Sequence, residues 1–111
     1  MEVLFYFMLK WGDELNNKKT NKVEKHKEIC ERLNQIYQAK NRDYGDSFGE
    51  TYKKLGIVSA VTRIGDKYHR LVNLCTKSED ERQIKDETIK DTLMDLANYT
   101  IMTIIELEGE G

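Results

Sequence analysis

No proline occurs in the 111 residues, so the chain lacks the residue that most reliably interrupts helices and marks edge strands. With 34% charged and 39% apolar residues, that absence suits a helical protein better than a sandwich or barrel, which needs many turn formers. Cysteine is scarce. Cys30 and Cys75 are the two present, and both fall on apolar helical stripes. They read as reduced, small core residues rather than a disulfide or metal pair, which implies a cytoplasmic setting. The net charge of −2 argues against a general phosphate-backbone binder, so no direct nucleic-acid binding is expected. The locally basic run KKTNKVEKHK at 18–27 reads as a solvated helix start. Long hydrophobic runs are missing too. MEVLFYFMLKW at 1–11 is too short to span a bilayer and lacks the basic start and cleavage site of a signal peptide, so no membrane partner is expected. We read it as a short helix or strand docked on the core or on a neighbouring subunit; a dispensable tail from an upstream start codon is the alternative. The sequence also contains no P-loop, no Cys/His metal spacing, no G-x-S-x-G elbow and no internal repeat.

A chain of this length forms one domain and buries only a modest core unless it oligomerises. The expected organisation is an apolar arm and polar linker at 1–20, then an all-α domain at 21–111. Three main helices would form an antiparallel bundle, completed by association as a homodimer or homotetramer. Val23, His26, Ile29, Cys30, Leu33, Ile36 and Tyr37 define a first amphipathic helix ending near Lys40. His26 lies in that stripe and reads as a hydrogen-bonded interfacial side chain, not a ligand. NRDYGDSFG at 41–49 reads as a loop, with Gly45 and Gly49 able to take positive φ and Asp43, Asp46 and Ser47 able to cap the next helix. Its Tyr44 and Phe48 are either plugs for the end of the bundle or platforms for stacking a base.

The spacing predicts a second helix from about Glu50 to Cys75. Its core stripe would be Ile57, Val58, Val61, Ile64, Tyr68, Leu71, Val72 and Cys75, with Gly65 permitting close approach. Its polar side holds Asp66 among Arg63, Lys67 and Arg70. Those four are either solvated intrahelical pairs, worth little, or a phosphate clamp beside a metal ligand. The third helix, from about Asp86 to Glu108, has an apolar stripe of Ile89, Leu93, Leu96, Ala97, Ile104 and Leu107, and the closing GEG reads as frayed. Glu87, Asp91, Asp95 and Asn98 share the opposite side, within roughly 80° of one another. Met94, Met102 and Ile105 border them, which suggests a groove between helices. A solvated face would more usually mix in lysine at i,i+4. Carboxylates facing one another across a groove can hold Mg²⁺, which keeps several waters, bridges to phosphates and activates a water. Arg and Lys would then stabilise phosphate charge.

YQAKNRDYGDSF, RIGDKYHRL and DETIKDTLMDLANYTIM occur in that order. They combine N-x-D-Y-G, R-x-x-D-K-x-x-R-L and E-x-x-x-D-T-L-x-D-L-A-N-Y. This combination resembles the small nucleotide-modification-associated domain found largely in phages and bacteria, over about residues 24–107. That domain is in turn similar to the MazG-like all-α nucleoside triphosphate pyrophosphohydrolases, whose helices carry E-E-x-x-E and E-x-x-D ligands for Mg²⁺. The resemblance implies a MazG-like fold, Mg²⁺ (or Mn²⁺) as cofactor and release of pyrophosphate from a canonical or modified (deoxy)nucleotide. It also implies a phage-encoded protein acting in the host cytoplasm. Aligning MDLANY with the second motif puts Asp95 at its Glu position and Asn98 at its Asp position. Aligning DKYHR with the first puts Asp66 at an acidic position, but Lys67 and Arg70 where the family has Glu. A full metal site then requires Glu87 and Asp91 to substitute.

The expected catalytic and metal residues are therefore Asp66, Glu87, Asp91 and Asp95. Tyr44, Arg63, Lys67, Arg70 and Asn98 would bind the substrate. A non-catalytic module that binds or sequesters a nucleotide is the alternative function, and a ligand-free dimerisation domain is the third.

Overall fold

The computed structural model describes residues 21–77 and 82–110, with side chains at 21–77 and 87–110. The apolar arm at 1–11 and the linker after it lie outside the described residues. All regular structure among the described residues is helical: α1 (Lys22–Tyr44), α2 (Ser47–Leu55), α3 (Ile57–Cys75) and α4 (Arg82–Gly109). The all-α expectation holds, but there are four described helices rather than three. The expected helix from Glu50 to Cys75 is broken at Gly56, whose φ of +74° lies in the left-handed region where a side chain costs energy. Gly56 serves both neighbours. Its N–H donates to the Tyr52 carbonyl at 2.7 Å, ending α2, and its own carbonyl accepts from the Ser59 N–H and hydroxyl at 3.1 and 2.8 Å, opening α3. α1 runs one turn beyond the expected end at Lys40. It stops where the Gly45 N–H, at φ +68°, reaches the Asn41 carbonyl at 2.8 Å. Asp46 then caps α2 by accepting the Gly49 N–H at 3.1 Å, the role predicted for it.

The chain divides into two units, Met1–Gln35 and Ile36–Gly111, and the division falls inside α1. In the first, the Asn21 side chain accepts the Glu24 N–H at 3.2 Å as a helix cap. Lys25 and Glu28 form an exposed pair at 3.8 Å, and His26 contacts Cys30 at 3.7 Å. Leu33 is buried, while Val23 and Ile29 of the same stripe are exposed.

In the second unit, α3 packs most extensively on α4, and α2 lies against both. Phe48, Tyr52 and Ala60 form the buried cluster, with Tyr99 and Met102 packed on it. The Phe48 and Tyr99 rings stack at 5.9 Å and 29°, so Phe48 packs within this cluster. Ala60 is fully buried, and Thr92 and Thr103 are buried on α4. Both threonine hydroxyls donate to carbonyls one turn back, Thr88 at 2.8 Å and Tyr99 at 2.7 Å, so neither is left unpaired. The buried Tyr52 hydroxyl meets no acceptor at full hydrogen-bond geometry among the described residues. Burial first, then a looser hydrogen bond that it donates to the Glu110 carboxylate and the charges of Glu110 and Glu106, hold the phenol above the ordinary value of 10.0.

The expected core stripes need correcting. Ile57, Val58, Val61, Tyr68 and Val72 on α3, and Leu93, Ile104 and Leu107 on α4, are all 40% or more exposed. Ile64 and Leu71 of the first stripe and Ile89, Leu96 and Ala97 of the second are half-buried, beside the buried Ala60 and Thr92 and the Lys67–Asp95 bridge, so only part of each stripe turns inward. Cys30 and Cys75 are unpaired thiols as expected, but exposed rather than in the core. Gly65, expected at a close approach, faces open space, since a Cβ there would meet nothing within 4 Å.

Candidate functional site

The extra turn at the end of α1 helps to build a pocket of about 380 Å³, within the roughly 300–1,000 Å³ range of small-molecule sites. α1 contributes Tyr37, Lys40, Asn41 and Tyr44, successive turns of one helix face. The Gly45–Phe48 turn closes one end, α3 supplies Arg63, and α4 supplies Asp95, Asn98, Tyr99 and Met102. Aromatic and thioether surface thus lies beside cationic groups. Tyr44 is 75% exposed at the margin, so its ring is not consumed by packing as that of Phe48 is.

Asp95 is the electrostatic centre of this wall. Its Oδ1 meets the Lys40 ammonium at 3.2 Å, and its Oδ2 meets the Lys67 ammonium at 3.3 Å. One carboxylate therefore joins α1, α3 and α4. Two lysines share a single counter-charge and Arg63 stands on the same pocket wall, so cations outnumber the carboxylate they surround. Asp46, the other acid lining the pocket, is engaged in capping α2.

Of the residues expected from sequence, Tyr44, Arg63, Asp95 and Asn98 line the pocket, and Lys67 reaches it through Asp95. Asp66, Arg70, Glu87 and Asp91 are exposed and lie outside the lining. Among the described residues, no three His, Cys, Asp or Glu side chains come together to hold a metal ion. Asp66, Glu87, Asp91 and Asp95 are thus not assembled into one donor set, and both oxygens of Asp95 already face ammonium groups. The residues present do not fit a resident Mg²⁺ or Mn²⁺, which needs several oxygen ligands free to coordinate. Lys40, Tyr37 and Tyr99 were not among the expected site residues. Gly45 was the available signal: a glycine just after a periodic run commonly ends a helix, and extending α1 to it aligns Tyr37, Lys40, Asn41 and Tyr44.

A family model described as Nucleotide modification associated domain 1 matches residues 40–107. The chain belongs to this family. The match begins at Lys40, so it contains almost all of the pocket lining and leaves most of α1 outside. No curated protein and no solved structure matches the chain. Among the described residues, no helix is long and apolar enough to cross a membrane.

Proposed function

We propose that the chain is a nucleotide-binding protein that holds a nucleoside against Tyr44 and its phosphates against Arg63, Lys40 and Lys67. The observation that carries this reading is the pocket itself: an exposed tyrosine and a partly apolar lining beside cations that share one carboxylate. Aromatic faces stack bases regardless of sequence, and Arg and Lys neutralise phosphate. Membership of a nucleotide-modification-associated family supports the same ligand class.

The hydrolase reading takes second place. The resemblance to MazG-like pyrophosphohydrolases and the shared face of Glu87, Asp91, Asp95 and Asn98 favour it. The lysine-bound Asp95 and the separated acids favour binding without hydrolysis. Calorimetric titration of the purified chain with deoxynucleoside mono- and triphosphates, with and without Mg²⁺, tests the proposal, alongside an assay for released pyrophosphate. Binding that survives chelation of Mg²⁺ and weakens about tenfold in Arg63→Ala is expected, an amount typical of one charge-assisted phosphate contact. Unchanged affinity in both Arg63→Ala and Tyr44→Ala would remove the pocket from the function. Mg²⁺-dependent pyrophosphate release would reinstate the hydrolase.

A further inference from the structure

The two ends of the pocket differ in chemistry. At one end, the turn at 45–48, Tyr44 and the stacked rings of Phe48 and Tyr99 present aromatic surface. At the other, the Lys40 and Lys67 ammonium groups meet on Asp95. Along α1, Lys40 lies one turn before Tyr44, a rise of about 6 Å, which one sugar can span between a base and its 5′-phosphate. α3 and α4 run antiparallel: the cluster holding Ala60 meets Tyr99 and Met102, whereas Lys67, two turns later, reaches back to Asp95. Arg63 therefore stands between the two ends, one turn short of Lys67.

We infer that the pocket selects a nucleoside monophosphate over the corresponding di- and triphosphates, an inference that rests on the nucleotide-binding reading above. Three features of the cation end carry it. The first is convergence. Both ammonium groups address the oxygens of one carboxylate, at 3.2 and 3.3 Å, so they flank a single small oxyanion, whereas a polyphosphate chain needs cations set out in line. The second is what lies beyond them. The next residue on this face of α1 is Tyr37, about 10 Å from Tyr44 along the helix, and it lines the pocket without a positive charge. Arg70, the next cation of α3, is exposed and lies outside the lining. The third is charge. Lys40, Lys67 and Arg63 stand against Asp95 and Asp46, which leaves one net positive charge. A phosphate monoester brings about −2 at pH 7, and each further phosphate adds negative charge with no cation beside it. Both acids are engaged, Asp95 with the lysines and Asp46 in capping α2, so the Mg²⁺ that accompanies a triphosphate gains no ligand there.

Calorimetric titration of the full chain, in EDTA and again in Mg²⁺, tests this with the free deoxynucleoside and its mono-, di- and triphosphate, for each of the four common bases. The monophosphate should bind about tenfold tighter than the free nucleoside, which lacks the charge-assisted contacts. It should also bind about tenfold tighter than the triphosphate, whose extra charge is uncompensated. Affinity that is equal or rises from mono- to triphosphate in either buffer overturns the inference and leaves the nucleotide reading intact. No binding by any member removes that reading, and the inference with it. Tyr37→Lys adds a cation one turn beyond Lys40 and should raise triphosphate affinity to that of the monophosphate, with unchanged helical circular dichroism. A folded Tyr37→Lys chain that keeps the full preference refutes the charge argument. Loss of triphosphate affinity in Arg70→Ala refutes it too, by setting a cation beneath the tail.

Discussion

Replacing Asp95 with Asn is the sharpest test of what the pocket does, because the change keeps the shape and removes the charge that Lys40 and Lys67 share. Two costs and one gain can be set against each other. Each ion pair is partly exposed, with Asp95 and Lys67 side chains near 30% and Lys40 at 60%, so each contributes no more than about 1 kcal/mol. The amide oxygen still accepts from one lysine, which leaves a net loss of about 1 kcal/mol and a melting point lower by several degrees. Binding should move the other way. A phosphate approaching the two ammonium groups lies about 6 Å from the carboxylate, and at an effective dielectric near 40 that repulsion is about 1.4 kcal/mol. Screening in a pocket open to solvent reduces it to about 1 kcal/mol, roughly fivefold in affinity. Asp95→Asn should therefore be less stable and bind nucleotide more tightly. The assay is a titration by calorimetry or tyrosine fluorescence, with thermal melts of the same samples. Weaker binding in the variant, with loss of a Mg²⁺-dependent contribution, would refute the reasoning and make Asp95 a metal ligand.

Asp91→Asn changes an exposed carboxylate outside the pocket, so its melting point should shift by the equivalent of no more than about 0.5 kcal/mol, with the same response to Mg²⁺ as the unaltered chain. Gly56→Ala meets no steric neighbour, so only its φ of +74° is penalised, and urea unfolding should show a loss of about 1–2 kcal/mol. Tyr52→Phe removes a hydroxyl that meets no acceptor at full hydrogen-bond geometry among the described residues and has the Glu110 carboxylate beside it, and should leave stability at neutral pH unchanged. A clear loss of stability would mean that the Glu110 carboxylate accepts a full hydrogen bond from this hydroxyl. Because burial raises the Tyr52 phenol above 10.0, the folded state holds that proton more tightly than the unfolded state. The contribution is complete below pH 10.0 and lost as pH rises through the folded value; denaturant melts at alkaline pH should show a fall that is shallower in Tyr52→Phe.

Helical class was legible because the apolar spacing repeats over long, proline-free segments, and period survives whatever the neighbours do. Which face turns inward was not. The whole α3 and α4 stripes were read as core on the rule that the apolar side is buried, whereas only Ile64, Leu71, Ile89, Leu96 and Ala97 of them are half-buried, and Ala60, Thr92, Thr103 and a lysine–aspartate bridge occupy inner positions. Small and polar residues carry no hydrophobic signal in a sequence, yet they permit close helix approach. The break at Gly56 was hidden by the apolar periodicity that resumes immediately after it. Of the pocket lining, Tyr44, Arg63, Asp95 and Asn98 were named from local patterns and motif order. Lys40 was missed because its partner lies 55 positions away, and long-range pairing leaves no local trace.

The one-residue joint at Gly56 also bears on how relatives of this chain can vary in length. Phe48 before the joint and Arg63 after it line the same pocket, with no slack between them. A single residue inserted between Gly56 and Arg63 would turn the rest of α3 by about 100°, swinging Arg63 off the pocket wall and Lys67 away from Asp95. Insertions and deletions that preserve ligand binding should therefore avoid this stretch.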